Sequence, residues 1–181
     1  MVILYSLLFI VIIFGIISII YVYNFNLLQH SKTKLNHAEC LIDEALRYRY
    51  DILLRADGLL KKEINKNVFK DIEKLKDDNI SNFELDRKLM EYVNILKQIK
   101  FDNPEIFEEK SFKDVFADDK KALEKLQAAK SYYNKYTSEF NDLVRSFPSN
   151  IVARMHRFEV KSFFDGKNME DTIVDDFKLW W

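Results

Sequence analysis

The sequence predicts an all-α protein: a single N-terminal transmembrane helix followed by an antiparallel helical bundle. Three observations carry that prediction. Residues Val2 to Val22 hold no charged side chain. Beyond them, apolar residues recur at alternating steps of three and four, the spacing of a helix packed on other helices. Only 3 glycines and 2 prolines occur in 181 residues, too few for the many turns of an all-β fold. The chain divides into an anchor at 1–23, a bundle at 24–155 and a tail at 156–181 that is partly irregular or docked on the bundle.

The uncharged run is broken only by Tyr5, Ser6, Gly15, Ser18 and Tyr21. At about 1.5 Å per helical residue it crosses a hydrocarbon core of roughly 30 Å. A cleaved signal peptide needs a basic start and a small-x-small cleavage site. Neither is present, and Tyr23, Asn24, Phe25 and Asn26 follow the run. Apolar residues cover every side of the segment, which favours a membrane span over a buried core helix. The bilayer is therefore the expected partner of residues 2–22. Lys32 and Lys34 follow the run and no basic residue precedes it, which directs the bundle to the cytoplasmic side of the cell membrane.

The first soluble helix places Leu28, Leu35, Ala38, Ile42, Ala45, Ile52, Ala56 and Leu59 on one face. No Gly, Ser or Pro stands between Tyr21 and Leu28, so this helix is expected to leave the membrane unbroken. Ile64, Val68, Ile72 and Leu75 suggest a further short helix, after a turn near residues 62–67. The next seam is Leu85, Leu89, Tyr92, Leu96, Ile99, opened by a Ser81/Glu84 capping box and closed by Asn103-Pro104. The clearest seam runs Ala122, Leu126, Ala129, Tyr133, Tyr136, Phe140, Leu143, Phe147. Ser111, with Asp114 three residues on, is its expected N-cap, and Pro148 its stop. A coiled-coil rod is the alternative, but aromatic seam residues and three turn signals favour folding back.

Two places break the apolar pattern. The first seam requires an apolar residue at position 49 and the sequence supplies Arg49, flanked by Asp51. Asn134 and Asn141 lie seven residues apart, each directly after an aromatic seam residue. Together they read as a polar cluster, Arg49, Asp51, Asn134 and Asn141, with Asp43 a further partner for Arg49. A buried guanidinium costs several kcal/mol unless fully paired. The cluster therefore fixes helix register, binds a ligand, or dissolves into a snorkelled Arg49 with two boundary asparagines.

The stretch Ala45-Leu46-Arg47-Tyr48-Arg49-Tyr50-Asp51-Ile52-Leu53 resembles the first-helix motif of the LemA family of bacterial membrane proteins. Lys130-Ser131-Tyr132-Tyr133-Asn134, Phe140-Asn141 and Phe147-Pro148-Ser149-Asn150-Ile151-Val152-Ala153 resemble its closing signature. The sequence departs from the family pattern in two places. Leu54-Arg55 stands where Pro-Asn is usual, and Arg157-Phe158 where Gly-Phe is usual. The resemblance implies one membrane helix carrying a helical bundle, without enzymatic activity.

Composition adds exclusions. The net charge is −1, so no basic field recruits nucleic acid. Three isolated glycines cannot build a phosphate-cradling loop. His30, His37 and His156 show no metal-ligand spacing, and Cys40 sits beside Glu39, which does not activate a thiol. No enzyme, metal or cofactor is expected. A protein partner at the membrane or in the cytoplasm is, with self-association among the options. The terminal Phe177, Trp180 and Trp181 are expected to dock on the bundle, return to the membrane interface or enter a partner groove.

Overall fold

The structure is a computed structural model that describes residues 1–64, 68–69, 72–76 and 80–164. The expectations for Phe177, Trp180 and Trp181, for Asp77-Asp78-Asn79, and for most of the tail lie outside these residues.

Helix α1 (Val2–Ile64) is one unbroken helix of 63 residues. At about 1.5 Å per residue it is roughly 95 Å long. None of its most apolar 18-residue window is buried. Burial starts at Asn24 and follows Leu28, Ser31, Leu35, Ala38, Ile42, Ala45, Arg49, Ile52 and Ala56. These steps alternate four and three, so one stripe faces one partner for the whole length of the bundle.

That partner is α3 (Lys110–Arg145), with which α1 makes its most extensive packing. The two run antiparallel: Arg49 meets Asp119, His37 stacks edge-on against Tyr132, and Lys34 lies over the Tyr136 ring. The buried stripe of α3 is Phe112, Val115, Asp119, Ala122, Leu126, Ala129, Tyr133 and Phe140. Ser111 is not the N-cap. The 3-10 turn Pro104–Glu108 delivers the chain so that Glu109 takes the cap position, and the Ser111 hydroxyl donates to Glu109 Oε2 at 3.0 Å from inside the first turn. Phe147 is not part of the seam either. Proline disfavours helical backbone in the preceding residue, α3 closes at Arg145, and Phe147 is left 79% exposed.

Helix α2 (Asn82–Asp102) opens with the Ser81/Glu84 capping box and ends at Asn103, as expected. Its fully buried face is Phe83, Asp86, Leu89, Val93 and Leu96, rotated from the expected seam. Leu85 and Tyr92 turn instead toward the α1–α2 connection, where Tyr92 packs on Phe69. The orientation of α2 follows from its contacts. Asp86 pairs with Lys130 and Lys100 lies over Phe116, so α2 is antiparallel to α3 and therefore parallel to α1. The connection makes this possible by returning along α1. Phe69 stands at Asp57, whereas Leu75 and Ile80 stand at Asp43 and Tyr50. The short helix expected over Ile64–Leu75 is replaced, among the described residues, by a 3-10 turn at Glu73–Lys76. The Asp57 carboxylate takes the Phe69 N–H, competing with the carbonyl of a continuing helix.

Below Ser81, α2 leaves the α1–α3 pair uncovered. Helix α4 (Ser149–Met155) and the chain after it fill that place. Val152 and Ala153 pack with Leu28 and Phe140. The helix closes in a Schellman motif: the Phe158 N–H donates to the Ala153 carbonyl and the Arg157 N–H to Arg154. Arg157 pays for this turn with a left-handed φ of 54°. Residues 158–164 then run without helix up along α3, and Phe164 is buried against Phe83.

Candidate functional site

Position 49 lies on the α1 stripe, and the helix aims its side chain into the bundle. Arg49 is fully buried, the largest side chain to be so among the described residues. Its Nε donates to Asp119 Oδ1 at 2.8 Å, Nη2 donates to the Met90 sulfur at 3.3 Å, and Nη1 lies 3.6 Å from Asp86 Oδ1. Asp86 also pairs with Lys130. Two cations and two carboxylates thus form a chain of four, Asp119–Arg49–Asp86–Lys130, with no net formal charge, drawn from three helices. Arg49, Asp86 and Asp119 each occupy a buried-stripe position of their own helix. Such a network penalises any register that moves one charge away from the others.

Asn134 and Asn141 do not join this network. Each grips the chain after α4. Asn134 accepts from Phe164 N–H at 2.6 Å and donates to the Phe164 carbonyl at 3.1 Å. Asn141 accepts from Lys161 N–H and donates to its carbonyl, both at 2.7 Å. The spacing has a simple origin. Seven helical residues rise about 10.5 Å, and three residues of extended chain span about 10 Å. Two asparagines one heptad apart therefore match backbone groups three residues apart. Between them, the Tyr133 hydroxyl donates to the Ser162 carbonyl at 3.1 Å, and burial pushes that phenol up. Lys130, a member of the charge quartet, lies over the Phe164 ring, so the two polar features meet there.

Asp51 is exposed and stands apart from Arg49, and Asp43 pairs with Arg47 at 2.9 Å. Asp51 instead lines an open groove of about 740 Å³ between α1 and α3. Leu41, Ala45, Tyr48, Lys125, Ala129 and Tyr132 form much of its wall. Among the described residues no cluster of three or more His, Cys, Asp or Glu is placed to hold a metal.

Sequence reasoning missed Asp86, Asp119 and Lys130. The signal for Asp119 was present: three residues before Ala122, it continues the stepping of the seam backward to Val115 and Phe112.

These features define a class: a helical bundle, locked by a buried charge network and a backbone clamp, carried on a helix long and apolar enough to cross a membrane. Within that class, the LemA family model matches residues 26–175. The chain belongs to the LemA family. No curated protein and no solved structure matches it.

Proposed function

We propose that this chain is a non-enzymatic interaction module anchored in the cell membrane by residues 2–22, with its bundle on the cytoplasmic side. The observation that carries the reading is the continuity of α1, which joins the apolar segment to the bundle without a hinge. A bundle tethered only for location needs no such strut; one that presents a surface at fixed height does. The α1–α3 groove is the surface presented. It joins aromatic walls, Tyr48 and Tyr132, with a small-residue floor at Ala45, Ala128 and Ala129 and charged groups at Arg47, Asp51 and Lys125. Aromatic residues and Arg dominate protein-binding hot spots.

The test is photo-crosslinking in native membranes, with the reactive side chain at Tyr48 and, as control, at Lys97 on α2. The reading requires a discrete protein adduct from Tyr48 that Ala128→Trp abolishes and Lys97 lacks. Equal adducts from both sites, or none from either, would overturn it. Sidedness is read separately on the exposed Cys40: labelling by an impermeant thiol reagent in intact cells would overturn the cytoplasmic placement.

A second reading, a small-ligand module, is favoured by the groove volume, which lies in the range of small-molecule sites. It moves away from Arg49, whose side chain is sealed from solvent. A thermal-shift screen of the full chain checks it: stabilisation lost in Ala128→Trp supports it, and no stabilising compound removes it.

A further inference from the structure

The base of the bundle carries an apolar surface that the described residues leave uncovered. Following the Arg49–Asp119 register down both helices brings Arg145, the last residue of α3, level with Tyr23, where the uncharged run of α1 ends. The chain then turns into α4 at this level. Val152 and Ala153 face inward, and the other side of α4 exposes Ile151 at 53% and Met155 at 66%. Phe147, just before α4, is exposed as well. Arg145, Arg154 and Arg157 each stand within two residues of Phe147 or Met155 in the chain and are exposed. The height is fixed by contact as well as by register: the His156 ring pairs with the Tyr21 hydroxyl and stacks 4.6 Å from Phe25.

We propose that α4 is a membrane-interface helix, with Phe147, Ile151 and Met155 seated in the headgroup–acyl boundary of an anionic leaflet and the three arginines among its phosphates. The occupant is set by continuity and charge. A bilayer that accepts residues 2–22 ends where Tyr21 and Tyr23 lie, the usual depth of amphipathic rings. An apolar helix face at that same level meets lipid before it meets anything else. Interfacial helices bury their apolar face about 5–10 Å into the boundary and keep basic residues toward anionic headgroups. The bundle would then touch the membrane at two places, α1 and α4, and that second contact resists tilting of the strut. The inference rests on the reading of residues 2–22 as membrane-spanning.

The test uses the full chain with Cys40→Ser, reconstituted in vesicles of phosphatidylcholine and phosphatidylglycerol. An environment-sensitive fluorophore is attached at one new cysteine, Ile151→Cys or Met155→Cys. Phe14→Cys reports the anchor and Lys97→Cys the far part of the bundle. Quenching by lipids with a nitroxide high on the acyl chain should remove fluorescence at positions 151 and 155, with a blue shift, and leave position 97 unchanged. An anchor label quenched by lipid beside unquenched labels at 151 and 155 would overturn the proposal while the membrane reading stands. An anchor label that lipid does not quench would overturn both. A blue-shifted label at 151 without lipid quenching would mean a protein, such as a second copy, covers α4, and would also overturn it.

Discussion

Arg49 on α1 and Asp119 on α3 form a 2.8 Å charged hydrogen bond at the middle of the bundle, each on a position where its helix otherwise buries apolar residues. The pair marks the register of two long antiparallel helices. Removing Arg49 alone strands the Asp119 carboxylate in a nearly dry site and leaves Asp86 paired with Lys130. Arg49→Leu is expected to cost about 3–5 kcal/mol in chemical unfolding. Arg49→Met combined with Asp119→Leu should recover most of that loss, because the stranded charge goes with it and the Asp86–Lys130 pair stays intact. A double variant as unstable as the single one would show that the guanidinium contributes net stability beyond charge compensation.

The asparagine clamp makes a local prediction. Asn134→Ala removes both partners of the Phe164 backbone. Each such hydrogen bond contributes about 0.5–1.5 kcal/mol, so amide exchange at Phe164 should accelerate by roughly one to two powers of ten. Protection at Ile42 in the α1 core should hold. Unchanged exchange at Phe164 would mean that burial of its ring alone retains this segment.

Arg157 sits in left-handed backbone at the end of α4. A side chain there costs roughly 1–2 kcal/mol that glycine avoids. The LemA pattern has Gly before Phe at this step, and the geometry explains the glycine. Arg157→Gly should raise the midpoint of chemical unfolding by an amount worth about 1 kcal/mol. A lowered midpoint would show that the arginine side chain offsets its backbone cost.

Tyr133 gives the bundle an alkaline limit. Burial raises its phenol above the ordinary value, so the unfolded chain loses this proton first as pH rises. The contribution is fully present below the unfolded value of about 10 and is lost as pH climbs through the folded value. Thermal unfolding followed from roughly pH 9 to pH 11 should show a fall that Tyr133→Phe makes shallower. An identical fall in the variant would place the alkaline sensitivity elsewhere.

Helices α1, α2 and α3 were legible because each carries a stripe with regular stepping, whereas the seven-residue α4 is too short to show one; the capping box at Ser81/Glu84 marked a start without ambiguity. Arg49 stood out because it interrupts such a stripe. Its partners were hidden for the opposite reason. Asp119 lies just before the first apolar step recognised on α3, and Asp86 sits beside Leu85, which made a plausible stripe of its own. The heptad spacing of Asn134 and Asn141 was visible, but their target is an extended stretch at 158–164, which carries no periodicity to reveal it. The parallel α1–α2 pairing depends on a connection that returns along α1, held by single contacts such as Phe69 to Asp57. Pairwise contacts of that kind leave no pattern in one sequence.

Helix α1 runs without a break from its apolar segment into the bundle. The most direct measurement is the distance between spin labels at Ile12→Cys and Glu44→Cys, with Cys40→Ser, in the full chain reconstituted in a bilayer. A continuous helix at about 1.5 Å per residue places the two backbone positions about 48 Å apart with a narrow distribution. A broad distribution, or a mean well short of that distance, would show a hinge at the membrane surface and contradict the account.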